Sequence, residues 1–204
     1  MARWEAGARE RLVVAAVDLF IEQGYDETTV AQISERAGVT KSTFFRHFPD
    51  KRELLVAGQE TLSALLASGI TSAPADASPL EAVAAGLAMA SSEMGPTNRD
   101  LGPRLQAAVA ASTELQERDA LKSVGMAAAM ATALVARGVP STAAQLASEM
   151  GVLAFKQGYA RWSAAAAAAS PPATSASPAD DDEGLAPHAL AALADLRAAA
   201  AALG

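Results

Sequence analysis

Between Lys41 and His47 the chain gathers Lys41, Ser42, Thr43, Arg46 and His47, with no acid among them. Wound as a helix, Phe44 and the following Phe48 turn to one side and the polar residues to the other. A face of that kind offers hydrogen bonds to phosphate oxygens from its hydroxyls and cations, and an arginine able to grip guanine in the major groove. Phe45 sits on the border, placed to press its ring against sugar and phosphate. The same residues do not make a catalytic group. The chain has two histidines, His47 and His188, neither with a partner at a spacing that would activate a nucleophile. No phosphate-binding loop, dinucleotide fingerprint or metal-binding histidine pair is present. Glu93 and Glu149, on apolar helices, read as rim residues. No enzyme activity, catalytic residue, metal or cofactor is expected.

The elements needed to present that face are written beside it. Thr29 can cap a helix from Val30, with Gln32 closing a capping box. Val30, Ile33 and Ala37 then share an inward stripe, and Gly38 supplies the left-handed residue that ends the helix. Val39 fills the corner and Thr40 caps the next helix, from Lys41 to about His47. Two short capped helices around a glycine turn form a helix-turn-helix, whose second helix enters the major groove. Phe48-Pro49 stops it. Asp50 and Glu53 then offer another capping box, with Lys51 and Arg52 in the first turn. Cations there oppose the helix dipole, an arrangement that an anion such as a DNA phosphate would relieve.

The passages LFIEQGYDETTV, AGVTKSTFFRHF and FPDK, spread from about Arg9 to Leu55, resemble the tetracycline-repressor (TetR) family of bacterial transcriptional regulators. The resemblance implies an all-α fold: an N-terminal three-helix DNA-binding domain and a C-terminal helical domain for ligand binding and dimerisation. It implies DNA contacts from Thr29, from the third helix with its cap (Thr40, Lys41, Ser42, Thr43, Phe45, Arg46, His47) and from Lys51. It also implies a homodimer in which the last two long helices pair with their mates, close approach being permitted by Ala147, Gly151 and Gly158. Where many members carry tyrosines this chain has Phe45 and Arg46. A phenolic phosphate contact is lost and a guanine-reading group gained.

The net charge of −7 over 204 residues works against non-specific DNA binding, which depends on phosphate neutralisation. Its distribution restores the case: Arg36, Lys41, Arg46, Lys51 and Arg52 face only Asp50 between residues 36 and 52. A basic footprint on an acidic body suits a regulator that relies on specific contacts. With no cysteine, disulfides and thiolate metal sites are excluded. The longest uncharged stretch, Trp162 to Ala179, is broken by Pro171, Pro172 and Pro178, so neither a signal peptide nor a membrane span is read, and a cytoplasmic bacterial protein is expected.

The remaining elements follow from caps and periodicity. A first helix is predicted from near Glu5 to Gln23, its Arg9 and Arg11 read as solvated surface. The DNA-binding domain is placed at 1–55 and a connector helix at 51–68, carrying Leu54, Leu55, Leu62, Leu65 and Leu66. A linker at 71–78 precedes a helix capped by Ser78 with Glu81. A kinked segment is expected over 98–111, and long helices from Thr113 to Arg137 and from Thr142 to about Ala168. Residues 170–184, proline-rich and acidic, read as a mobile loop, and a last helix is predicted over 187–203. The domain from 69 to 204 would be regulatory. Met89, Met126 and Met130, with Phe155 and Tyr159, are candidates to line a pocket for a small, mainly hydrophobic effector. A helical interaction module without operator binding is the alternative, as is a regulator acting as an activator or without a ligand.

Overall fold

The computed structural model describes residues 7–54, 58–168 and 184–203. Among them the chain is helical without strands: α1 (Ala8–Gln23), α2 (Val30–Arg36), α3 (Lys41–His47), a 3-10 turn (Lys51–Leu54), α4 (Gln59–Ser72), α5 (Pro79–Ser91), α6 (Pro96–Ala110), α7 (Thr113–Ala136), α8 (Ser141–Ala168) and α9 (Leu185–Ala202). The expected loop at 170–184 lies, but for Gly184, outside the described residues. The chain divides into two compact units, one holding the residues up to Gly58 with Pro103–Lys122, the other Gln59–Gly102 with the residues from Ser123 on.

In the first unit the inward faces of α1, α2 and α3 bury Leu12, Ala16, Phe20, Ile33, Phe44 and Phe48 together with Ala108 of α6 and Leu115 of α7. The linear division of the sequence does not contain this last contribution. Asp18 of α1 pairs with Arg104 of α6, and Glu53 lies 3.5 Å from Arg118 of α7.

The second unit is built on close helix crossings. A Cβ on Gly69 would lie 2.6 Å from the carbonyl oxygen of Ala85 and the Cα of Gly86, so two glycines let α4 and α5 touch backbone to backbone. Ser78 caps α5 with Glu81 as box partner, as the sequence predicts. Arg137 closes the α4–α5 connection by donating to the carbonyls of Ala73 (2.8 Å) and Pro74 (2.5 Å). Ala147, Gly151 and Gly158 are buried within the chain's own packing, Gly151 against Val83 and Met130 and Gly158 against the backbone of Ala189. In this chain those small residues serve α8's contacts with α5, α7 and α9, not an exposed face awaiting a partner.

One further expectation needs correction. The connector is not one helix from Lys51 to Ser68: a 3-10 turn covers Lys51–Leu54, Gly58 adopts a left-handed φ of 84°, and α4 starts at Gln59 and runs to Ser72. The leucine periodicity on either side hid the glycine break. Among the described residues, Lys51–Ser72 and Thr113–Ala136 are long and apolar enough to cross a membrane by length and composition, a test that core helices also pass. The first is interrupted at Gly58, and the second buries Leu115, Met126, Met130 and Leu134 against protein.

Candidate nucleic-acid interface

The local rules that predict the helix-turn-helix are obeyed bond by bond. Thr29 Oγ1 accepts from Gln32 N at 3.3 Å, and Gln32 Oε1 accepts from Thr29 N at 2.8 Å. Gly38 has φ 66°, and the turn is tied by Gly38 N to Glu35 O (3.0 Å) and Val39 N to Ser34 O (2.9 Å). Thr40 Oγ1 accepts from Thr43 N at 3.1 Å, capping α3, and the two hydroxyls are 3.0 Å apart. Thr29 and Thr40 therefore have structural duties that fix where α2 and α3 begin.

On α3 the faces divide as expected for all but one residue. Phe44 is fully buried and Phe48 nearly so, while Lys41, Ser42, Phe45 and Arg46 are exposed and Thr43 is half-exposed. Phe45 keeps 55% of its surface accessible, a large apolar exposure for a ring in a small unit. His47 departs: it is half-buried, and its Nε2 is enclosed without a hydrogen-bond partner among the described residues. Its register sits beside Phe48, with the ring centroids 6.4 Å apart, and that draws the imidazole off the polar face.

The cations behave less simply. Arg36 makes a two-pronged pair with Glu22 at 2.9 and 2.7 Å, which holds the Glu22 carboxyl below its ordinary range. Arg52 pairs with Asp50 at 2.7 Å while its own N–H takes the other Asp50 oxygen at 2.7 Å. These bonds, the guanidinium's first, hold Asp50 below the usual carboxylate range. Lys51 is turned inward: its Nζ donates to the carbonyls of Tyr25 (2.6 Å), Thr28 (3.0 Å) and Asp26 (3.4 Å) and lies 4.0 Å from the Tyr25 ring centroid. The expected clash of cations with a helix dipole is thus resolved by main-chain carbonyls and an aspartate, with no need of a phosphate. Lys41 and Arg46 are the exposed cations of α3.

Sequence reasoning also missed three braces. Arg11 Nε donates to Ala37 O at 3.1 Å, and the Arg9 guanidinium lies 5.4 Å from the Phe48 ring centroid, so neither is only solvated surface. Tyr25 donates its hydroxyl to Glu114 at 3.1 Å. Burial first, and then this carboxylate, push its phenol far above the usual tyrosine range. Only the sequence distance between partners concealed these contacts.

In the second unit Met126, Met130 and Phe155 are buried in one apolar cluster with Tyr159 packed against it. Met89 is half-buried and is not in that cluster. Its neighbour in sequence Met94 packs there instead. An open groove of about 400 Å³ runs beside Ser123, Glu149, Met150, Val152, Leu153 and Lys156, sharing no residue with the predicted pocket. Tyr159, half-buried against the core, has its phenol pushed up to about 12 by burial. A raised phenol favours folding fully below its unfolded value near 10, and that contribution is lost as pH climbs toward the folded one. Urea titrations from pH 9 to 12 should show a smaller alkaline loss of stability in Tyr159→Phe than in the parent. An equal loss would mean that this phenol does not titrate between the two values.

Residues 12–57 match the profile of the bacterial regulatory proteins, tetR family. This DNA-reading segment is similar to that of the TetR family. The chain is 37% identical over 75 residues to the transcriptional regulator TcmR of Streptomyces glaucescens, covering 37% of this chain and 33% of TcmR. It is 35% identical over 65 residues to the transcriptional activator FasR of Mycolicibacterium smegmatis, covering 32% of this chain and 30% of FasR. The match thus spans about a third of the length of these relatives. Across nearly the whole chain, the fold is that of the Bacillus subtilis transcriptional regulator FadR, solved with stearoyl-CoA: TM-score 0.55, 18% identity, 91% of this chain and 95% of that one.

Proposed function

We propose that the protein is a sequence-specific DNA-binding transcriptional regulator and not an enzyme. In this reading it acts in the bacterial cytoplasm as a homodimer that holds a roughly palindromic operator and releases it on binding a small, mainly hydrophobic effector in the second unit. The observation that carries this is α3: a capped helix with Phe44 as its buried root and Lys41, Ser42, Thr43 and Arg46 displayed outward. One such helix reads too few base pairs for specificity, so two copies must reach half-sites about 34–36 Å apart, or a multiple of it. The effector must favour the DNA-incompetent state: tight binding alone moves nothing, and a coupling of about 1–3 kcal/mol lowers operator affinity roughly 5- to 150-fold. The FasR relative is an activator with a similar reader, so the direction of control rests on where the operator lies and not on α3. The test is selection of binding sites from random duplex DNA by the full chain. An enriched inverted repeat supports the reading, and no enrichment overturns it in favour of a helical module without an operator.

On the selected operator, Arg46→Ala should cost about 1–3 kcal/mol and relax preference at one base position. Lys51→Ala should weaken binding to all sequences alike, and lower stability with it, because its ammonium holds three carbonyls in the approach to α2. A salt dependence shallower by about one ion at unchanged stability would instead make Lys51 a phosphate contact. Quantitative competition binding at several salt concentrations, with urea unfolding of the same variants, separates the outcomes.

A further inference from the structure

Two polar atoms in the second unit are enclosed without a hydrogen-bond partner among the described residues: Ser91 Oγ on α5 and Trp162 Nε1 on α8. Their residues are only 3% and 2% exposed. Buried donors in native proteins are overwhelmingly satisfied, so each exception calls for an explanation, a bound molecule that completes the bond being one.

The register brings these two residues to one end of the unit. α4 and α5 are joined by a short connection and run antiparallel. α7 lies parallel to α4, since Gln59 abuts Gly125 at one end while Arg137 reaches Ala73 at the other. α8 returns antiparallel to α7, with Lys156 beside Ser123 and Gly151 beside Met130. α5 and α8 are therefore parallel. With Val83 against Gly151, equal steps along both helices bring Ser91 level with Tyr159. Trp162 lies about 4.5 Å further along the axis, and helical side chains lean back toward the N-terminus, which returns its indole toward the level of Ser91. The following chain closes the same end: Tyr159 donates to the carbonyl of Asn98, and Arg99 Nε donates to the carbonyl of Trp162 at 3.2 Å. The walls are flat. Phe155 and Tyr159 stack at 11° with centroids 6.2 Å apart, and Tyr159 lies 6.0 Å from Trp162.

We propose that Trp162 Nε1 and Ser91 Oγ are the polar anchors of the effector site, and that the effector is a neutral, planar, mainly apolar molecule carrying a carbonyl acceptor. This rests on the effector-released regulator proposed above and names the chemistry of that effector. The indole N–H can only donate, and the serine hydroxyl can donate beside it to the second lone pair of one carbonyl oxygen. Planarity follows from the aromatic walls. Neutrality follows from the anchors, which bring no charge of their own; the Arg99 guanidinium keeps its charge but is engaged by the Trp162 carbonyl and by the Trp162 ring, 5.8 Å from its centroid. The groove beside Leu153 lacks these features.

The probes are 9-fluorenone and fluorene, which share a shape and differ by the carbonyl, with fluorene-9-carboxylate as the charged comparison. Affinities are measured on the full chain by calorimetry, together with the indole N–H resonances of Trp4 and Trp162 in ¹⁵N-labelled protein, assigned through Trp4→Phe. Fluorenone should bind about tenfold more tightly than fluorene, the gain of two neutral hydrogen bonds. The Trp162 N–H should move downfield, and Ser91→Ala should narrow the preference. Equal affinities, an unmoved Trp162 resonance, no binding of either hydrocarbon skeleton, or tighter binding of the carboxylate would each overturn the assignment. Fluorenone that moves the Trp162 resonance yet leaves affinity for the selected operator unchanged would instead sink the effector reading and leave the anchors standing.

Discussion

Phe44→Ala should cost the DNA-reading unit about 3–5 kcal/mol, the range for emptying a phenylalanine site in a close-packed core. Phe44 is fully buried, with its ring centroid 5.3 Å from Phe45 and 5.8 Å from Phe48. The helix that carries it has seven residues, far below the length at which a helix holds itself together in water. α3 therefore exists because Phe44 roots it and Thr40 caps it. A loss of this size is a large part of the stability of a typical small domain. The variant should lose operator binding at temperatures where the parent still binds, although no residue on the reading face has changed. Urea unfolding followed by circular dichroism measures the cost. A loss below about 1 kcal/mol would be less than any phenylalanine cavity is expected to give and would show that α3 is held by something other than its root.

How much of this was legible in the sequence follows from the range of the interactions. The Thr29–Gln32 box, the Thr40 cap, the Gly38 corner and the Ser78–Glu81 box all join residues within one turn, and residue type at fixed spacing is sufficient to specify them. Contacts between distant residues left no such trace. Lys51 reaches carbonyls at Tyr25 and Thr28, and Tyr25 reaches Glu114, 89 positions away. Without them Lys51 reads as a cation awaiting a phosphate. Summing charge over a sequence window misled in a related way, because Glu22, which neutralises Arg36, lies outside the window and beside it in space. Residue type also fails to fix which side of a helix is inside. Met126 and Met130, candidates to line a pocket by residue type, are buried in the core, whereas Met89 is half-buried outside it. His47, polar by type, is enclosed at Nε2. In the reader, then, the face and its caps were readable, and the braces that hold them were not.

The glycines of the second unit allow a test in which the sign of the effect identifies the contact. In a helix interior, alanine normally stabilises relative to glycine by about 0.5–1 kcal/mol, because glycine loses more conformational freedom on folding. Gly125→Ala should show that gain or sit near zero: its new Cβ would meet only the side chain of Gln59, at 2.4 Å from Nε2, and the end of a flexible side chain can swing away. Gly158→Ala should do the opposite. Its Cβ would fall 2.5 Å from the Cα and 2.6 Å from the nitrogen of Ala189, with the His188 carbonyl carbon at 2.9 Å, and these backbone atoms can yield only if α8 and α9 move apart. Overpacking costs about 1–3 kcal/mol, and a backbone clash with no rotamer to relieve it belongs at the upper end. Since α9 buries Leu185, Ala189, Ala192 and Leu193, parting the two helices would also expose apolar surface beyond the clash itself. Thermal and urea unfolding of the two variants side by side provides the measurement. Stabilisation by Gly158→Ala would mean that α8 and α9 do not approach as closely in solution as the Gly158–Ala189 contact requires.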